Sequence, residues 1–470
     1  ATIIVIMIAL RFTLQSLKNI EKQANEISGG HFTSISLPWT LEIRNVAKSM
    51  NGMSTKIGEM IARLNGKLEV LNDSVKRDPL TQLFNQSSFE TDLKQLLITG
   101  ETGYAAFLKF DRLADIAKDK GNKEVDKILI DFAKLLTHKE NESVKAYRLY
   151  GSEFTMLFPN FELAEMEACT QYLKEKITEI GQRYEINDLV HIGIIKITRS
   201  SDYNKLLPAM VEAYEEAKLI GNNAYNIKED SIGSMSDQDW KSTINAVIDN
   251  NSPVITLTSE AFHYKGSLPS KVMQEAFTVV KDQSGNNLSI GTFFSMAQEF
   301  DLEEKLDQCI VNKIIELMEK HRETTPVTIN LSMTSIASNN FRLWLNTRLK
   351  TTKVQSNLLA FSVTAYAASK NLSAFSDFSK HVSSLGATTL LKRYSSDIID
   401  VSALKDLNVS YIRLARDLTR EISINSNKSD LLDIMQEVTG FLDIKVIAES
   451  VESDDDFEHV KASHIYAIGR

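Results

Sequence analysis

The side chains best placed to do chemistry sit where apolar runs end. Glu275 closes KVMQEAF, Asn330 closes VTINLS, and Lys392, Arg393 and Tyr394 close ATTLLKRY. Arg413 lies in YIRLA, and Glu449 and Glu452 in VIAESVES. Carboxylates and an amide at such positions are oxygen ligands for a hard divalent cation. Lys392, Arg393 and Arg413 oppose that role, because an ammonium or guanidinium repels the cation and attracts phosphate, arginine through forked hydrogen bonds. A second candidate is RLYGSEF, from Arg148 to Phe154, a turn between the strand-like runs KAYRLY and FTMLF. Cys169 and Cys309 are isolated, with no CxxC, so neither a zinc site nor a disulfide framework is supported.

The elements that must position these residues follow from patterning. With 470 residues the chain is long enough for roughly three domains. A composition of 43% hydrophobic and 24% charged residues is that of a globular protein, and the net charge of -9 argues against a nucleic-acid polymer as partner. ATIIVIMIAL has no charge before Arg11 but is shorter than the roughly 20 apolar residues a bilayer span needs. It lacks the basic leader and cleavage site of a signal peptide. Residues 1–10 are therefore expected to be the cytoplasmic end of a transmembrane helix, with Arg11 inside. Leu10, Leu14, Leu17, Ile20, Ala24 and Ile27 keep helical spacing, SGGHF breaks the helix, and LPW follows in an extended connector. A second helix is predicted from Leu41 to Lys76. Its later stripe, Ile57, Ile61, Leu64, Leu68, Leu71 and Val75, has the 3.5-residue period of a coiled-coil seam. A helical hairpin packed on its own domain is the competing reading.

Asp78-Pro79 ends that helix. Strands and helices then alternate to Lys228, an α/β domain of about 150 residues. Polar residues 229–241 read as a linker. Beyond them PVTINLS, LLAFSVTA, ATTLLKRY, VSYIRLA and IKVIAES alternate with helices over about 230 residues, as in a (β/α)8 barrel. The end at Gly469-Arg470 is read as leaving the barrel short of its last helix.

DPLTQLFN at 78–85, RLYGSEF and AYEEAKLIGNN resemble, in order, the landmarks of a GGDEF (diguanylate cyclase) domain. The resemblance implies two carboxylates holding magnesium against GTP. Here those positions are Lys109 and Ser152. Tyr150 replaces the first glycine of the signature, while Gly151, Glu153 and Phe154 remain. The guanine-reading asparagine position falls on Ala117, and the nearby acid is kept as Asp126. The Arg-x-x-Asp product site would occupy 141–144 and is missing. Cyclase activity is not expected.

The barrel resembles an EAL (cyclic-di-GMP phosphodiesterase) domain, with Glu275-Ala276-Phe277 at the name motif. Lys271-Val272-Met273 is an alternative register, but the spacing to FFSMAQE favours the first. The resemblance implies two metals and an activated water. Yet the E-I-T-E motif is Ser362-Val363-Thr364-Ala365, the D-D-F-G motif is Lys392-Arg393-Tyr394-Ser395, and a later Lys and Asp are Arg413 and Ala415. Exchanging two acids for two bases shifts the local charge by four units. Each unit pair about 4 Å apart is worth roughly 4 kcal/mol at an effective dielectric of 20. No metal or cofactor is expected. The expected ligand is cyclic-di-GMP, held by Glu275, Phe277, Asn330, Arg393, Tyr394, Arg413, Glu449 and Glu452, with Phe277 and Tyr394 as guanine platforms or core residues. Val279 stands where the family often has a phosphate-binding arginine. The competing reading pairs the bases with Glu275, Glu449 or Glu452 as structural salt bridges.

The whole is similar to the LapD-type receptors. Residues 1–10 would end a transmembrane helix, 11–56 form a HAMP domain and 57–77 a signalling helix, with degenerate GGDEF at 78–228 and degenerate EAL at 242–470. The resemblance implies a bacterial inner-membrane homodimer, joined through HAMP, signalling helix and EAL domain, with this chain on the cytoplasmic side. Ligand binding would relieve autoinhibition. A periplasmic domain outside this chain would capture a cysteine protease that controls surface adhesion and biofilm. A non-binding dimerisation scaffold and an active phosphodiesterase are the rival readings.

Overall fold

A computed structural model describes residues 2–28, 30–137, 143–229, 235–264, 269–281, 285 and 287–469. Residue 1 of the expected membrane-helix end, residues 141–142 of the expected product site, residues 230–234 of the expected linker and residue 470 lie outside them. Packing divides the chain into two compact units. One comprises Ala1–Val75, Leu257–Ala276 and Ile314–Arg470, the other Lys76–Thr256 and Phe277–Lys313. This differs from a division at the expected linker. The helix Ile290–Glu299 belongs to the second unit: Phe293 meets Trp240 with ring centroids 6.5 Å apart, and Thr292 donates to the Ser201 carbonyl.

The second unit is built on a six-stranded sheet of β1 (Phe84–Asn85), β2 (Gly103–Phe110), β3 (Lys145–Tyr150), β4 (Glu153–Pro159), β5 (Val190–Ile197) and β6 (Tyr225–Lys228), in the order β1-β3-β4-β2-β5-β6. Strands β2 and β5 are apolar almost throughout because both faces are covered. Phe110, Phe132 and Phe154 pack on one face, and Phe89, Phe107, Tyr147 and Tyr214 on the other. Helix Tyr203–Ile220 lies so close to β5 that a Cβ on Gly193 would stand 2.2 Å from the Tyr214 nitrogen and 2.3 Å from the Met210 carbonyl oxygen.

The first unit holds two long helices, α1 (Thr2–Ser28) and α2 (Leu41–Lys76), and a closed barrel. The barrel strands are β7 (Val254–His263), β8 (Ser270–Val279), β9 (Val327–Asn330), β10 (Leu359–Thr364), β11 (Thr388–Tyr394), β12 (Tyr411–Leu414), β13 (Lys445–Ala448) and β14 (Ala467–Gly469). Neighbours from β8 to β14 pair in parallel, whereas β14 meets β7 antiparallel. No helix among the described residues is long and apolar enough to cross a membrane.

α2 spans the residues expected, and its stripe Ile61, Leu64, Leu68 and Val75 is buried, with Asn72 in place of the expected Leu71. The same chain covers part of it. Asn72 Oδ1 accepts from Ser395 Oγ at 3.0 Å, and Asn427 Nδ2 donates to Ser74 Oγ at 3.3 Å. Further up, an open groove of about 710 Å³ is lined by Arg63, Lys67, Val70 and Leu71 from α2 and by Asp430 and Ile434.

Candidate functional site

The strand ends of the barrel bring Glu275, Asn330, Lys392, Arg413 and Glu449 together. Glu275 is 2% exposed. Its Oε1 takes the Lys392 ammonium and an Asn330 Nδ2 proton at 3.1 Å, and its Oε2 takes Arg413 Nη1 at 2.5 Å. Lys392 also donates to Asn330 Oδ1 at 3.0 Å, which accepts from Ser362 Oγ at 2.8 Å. Thus Ser362, at the first position of the lost acidic pair, is a hydrogen-bond donor and not a metal ligand. Arg413 Nη2 approaches Glu449 Oε1 at 2.8 Å without hydrogen-bond alignment, and Arg413 Nε has no hydrogen-bond partner among the described residues.

Burial pushes the Glu275 carboxyl up, but Lys392 and Arg413 outweigh it and hold the pKa below the ordinary carboxylate range. Burial lowers the Lys392 ammonium, opposed by Glu275. The acceptors around it, a carboxylate and an amide oxygen, both take its N–H protons, and the Glu275 carboxylate favours its charged form. Glu449 differs: burial pushes it up to about 7, with Arg413 pulling the other way.

Several expected site residues fall elsewhere. Tyr394 is fully buried and its hydroxyl donates to the Ile399 carbonyl at 2.9 Å, so it is a core side chain and not a guanine platform. Phe277 is 39% exposed. Glu452 pairs with Arg416 at an exposed position, away from Glu275. Arg413 is locked between two glutamates, which satisfies the salt-bridge reading for that residue. Arg393 does not join the buried ion pairs of Lys392, yet it stays at the mouth: burial pushes its guanidinium below the ordinary value, the Glu275 carboxylate opposes that, and its charge is felt by Lys392. The strand register shifts between Leu391 and Tyr394, Arg393 adopts φ +50°, and its exposed side chain has no ion pair among the described residues. Spacing alone could not show this: the bulge decides which of two adjacent bases faces in.

In the second unit Lys109 Nζ, at the first of the two lost metal positions, bonds Oε1 of the retained signature residue Glu153 at 2.8 Å. Tyr150 is exposed at the turn. The Ser152 carbonyl accepts from Phe110 N–H, and Phe154 is buried against Phe110 and Phe132. Arg148 forks between Asp78 Oδ1 and the Gly151 carbonyl, both at 2.9 Å. Sequence reasoning missed Asp111, whose carboxylate receives His191 Nδ1 at 2.6 Å and the Tyr214 hydroxyl. These three are far apart in sequence and carry no shared pattern.

The chain thus joins an α/β domain whose hairpin glutamate pairs with a lysine to a barrel whose mouth gathers three bases and two glutamates. Residues 75–224 match the diguanylate cyclase, GGDEF domain and residues 269–468 the EAL domain, and the chain belongs to the proteins that carry both. Among solved structures, the S helix-GGDEF-EAL segment of Vibrio cholerae LapD in its apo form shares the fold, with a TM-score of 0.62 and 19% identity over 87% of this chain and 98% of that one. Among curated proteins, the RNase E specificity factor CsrD of Escherichia coli K12 is 21% identical over 81% of this chain, and the cyclic di-GMP phosphodiesterase PdeB of Shewanella oneidensis is 20% identical over 84%. The chain spans 60% and 48% of those two relatives.

Proposed function

We propose that this chain is a cyclic-di-GMP receptor that holds the dinucleotide at the barrel mouth without cleaving it. The observation that carries the reading is the Lys392 ammonium bonded to Glu275 and Asn330, the oxygen atoms a divalent cation would need. Lys392, Arg393 and Arg413 against Glu275 and Glu449 leave the mouth at +1, and at +2 when Glu449 is protonated. Such a mouth attracts a molecule with two phosphodiester anions and disfavours a pair of dications. Arg393, exposed and without an ion pair among the described residues, can fork onto a phosphate, and Phe277 can stack a base.

The signal leaves through Ser395, three residues after Lys392, to Asn72 on α2. Ligand at Lys392 and Arg393 moves this loop and frees α2, whose stripe then pairs with a second copy. On the LapD-type reading α1, the connector and α2 form a HAMP domain and signalling helix behind an inner-membrane span. The output is then periplasmic: capture of a protease, and so control of surface adhesion. Calorimetric titration with cyclic-di-GMP and magnesium tests the core claim. Saturable binding with the dinucleotide recovered intact is expected. Conversion to linear pGpG would make the chain a phosphodiesterase, and no heat at high micromolar ligand would make it a scaffold. Arg393→Glu should weaken binding, and unchanged affinity would remove Arg393 from the site.

A further inference from the structure

The exposed apolar residues of α1, the connector and α2 fall into two sets. Leu14, Leu17, Val46 and Met53 continue helical stripes suited to a partner helix. Phe12, Leu37, Trp39 and Leu41 do not. They are 61%, 52%, 63% and 64% exposed, while Pro38 between them is buried.

Hydrogen bonds set the level of this second group. Gln23 Nε2 donates to the Thr33 carbonyl and to Asn51 Oδ1, each at 2.8 Å, so residues 23, 33 and 51 lie side by side. Asn51 also clasps Ile35 through its N–H and its carbonyl. Arg44 donates from Nε to the Pro38 carbonyl and from Nη2 to the Trp39 carbonyl. As the connector advances from Thr33 to Pro38, its partners on α2 step back from Ser54 to Arg44. The connector therefore runs antiparallel to α2. It also turns back along α1 from Gly30, with Thr33 bonded to Glu26, so α1 and α2 are parallel. At about 1.5 Å per residue, Leu41 stands roughly 15 Å from the level of Asn51, and the same rise along α1 from Gln23 reaches about residue 13. Trp39, Leu37, Leu41 and Phe12 thus gather at one level, directly after Arg11.

Charge at that level is opposite to the charge of the chain. Exposed Arg11, Lys18, Arg44 and Lys48 surround the group with Glu42 and, at the level of Lys48, Glu21 against them, a net excess of two positive charges in a protein of net charge -9. Tryptophan flanked by basic residues is the chemistry of an anionic lipid headgroup layer.

We infer that Leu37, Trp39 and Leu41, with Phe12, seat the start of α2 in the membrane interface. Two points then hold the helix pair at the bilayer: α1 where it leaves the apolar segment, and the connector turn that Arg44 fastens to α2. The inference rests on the membrane reading above and adds a specific contact to it. It predicts that the depth of α2 is set by Trp39.

The test uses the whole chain with vesicles of phosphatidylcholine and phosphatidylglycerol, with and without brominated phosphatidylcholine as a quencher. Binding is read by flotation. Trp39 emission is the difference between wild type and Trp39→Phe, since Trp240 and Trp344 remain in both. The expected result is that the vesicles float the protein, bromolipid removes most of the Trp39 emission, and the emission left in Trp39→Phe is little changed. Vesicles of phosphatidylcholine alone should bind less protein. A floating protein whose Trp39 emission survives bromolipid overturns the inference alone and assigns Trp39 to a contact with protein. A protein that does not float overturns the membrane reading and the inference with it.

Discussion

Glu449 makes ligand affinity depend on pH in a defined direction. Its carboxyl is raised from an ordinary 4.5 to about 7, chiefly by burial. Above that value the mouth carries +1, and below it +2, since Glu275 is held ionised by Lys392 and Arg413. A dianionic dinucleotide is therefore bound more tightly as pH falls through about 7. Protonation also releases Arg413 from one of its two glutamates, which acts in the same sense. Through a mouth open to solvent, with a screening length of about 8 Å, one added charge is worth roughly 1 kcal/mol against the two phosphates, or about fivefold in affinity. Calorimetry at pH 6, 7 and 8 and constant ionic strength measures it. Wild type should lose affinity across the series, whereas Glu449→Gln should stay near the acidic value throughout. A flat wild-type series, or the same slope in Glu449→Gln, refutes the reasoning. The same group affects stability independently of ligand. Its folded pKa lies above its unfolded one, so its contribution is complete below about 4.5 and lost as pH rises to about 7, by at most about 3 kcal/mol. Chemical denaturation of wild type and Glu449→Gln across that window should diverge accordingly.

Lys392→Met leaves Glu275 buried with Arg413 as its remaining cation, and should lower barrel stability by about 2–4 kcal/mol, seen as an earlier urea transition; an unchanged midpoint would mean that the pair is not coupled. Asn72→Ala removes one of the two acceptors of Ser395 Oγ, leaving Asp397 Oδ1, and should loosen α2 by about 1 kcal/mol or less, raising amide exchange at 68–75 and tightening cyclic-di-GMP binding; no change in either would cut the proposed relay. Gly193→Ala forces a methyl onto the Tyr214 nitrogen and Met210 oxygen, and should cost more than about 3 kcal/mol in the GGDEF unit alone, with dinucleotide binding at the barrel retained.

The barrel was legible because its strands are continuous apolar runs that end in polar residues, and because helical and extended periods alternate between them. β9 to β13 fall within the five runs singled out. The two-residue β1 is too short for any period to register. The antiparallel closure of β14 on β7 depends on chain direction, which hydrophobic pattern does not encode. On α2 the heptad stripe was plain, but a stripe states only that something covers it. A second helix and the barrel loop carrying Ser395 ask for the same apolar spacing, and the buried polar Asn72 at the stripe was the one sign of the latter. In the site, Glu275 and Asn330 could be placed by motif. The facing of Lys392, Arg393 and Tyr394 could not, because a bulge breaks the two-residue alternation that would have assigned it.

That bulge also bears on the choice between receptor and scaffold. Four consecutive residues have four different surroundings: Lys392 meets the buried Glu275, Arg393 lies exposed beside that pair, Tyr394 bonds the Ile399 carbonyl and Ser395 reaches Asn72. Arg393 adopts φ +50°, as twelve other non-glycine residues among those described adopt a positive φ, a conformation that costs a side chain with a Cβ about 1–2 kcal/mol. On the receptor reading Arg393 offers phosphate an exposed guanidinium beside Glu275, and the loop that bears it ends at the contact with α2. For a ligand to shift that contact it must bind the released state better than the docked one by at least the worth of the Ser395–Asn72 bond, about 1 kcal/mol. A charge-assisted fork from Arg393 to phosphate, at roughly 1.5–3 kcal/mol, supplies that difference only where it is made in the released state and not in the docked one.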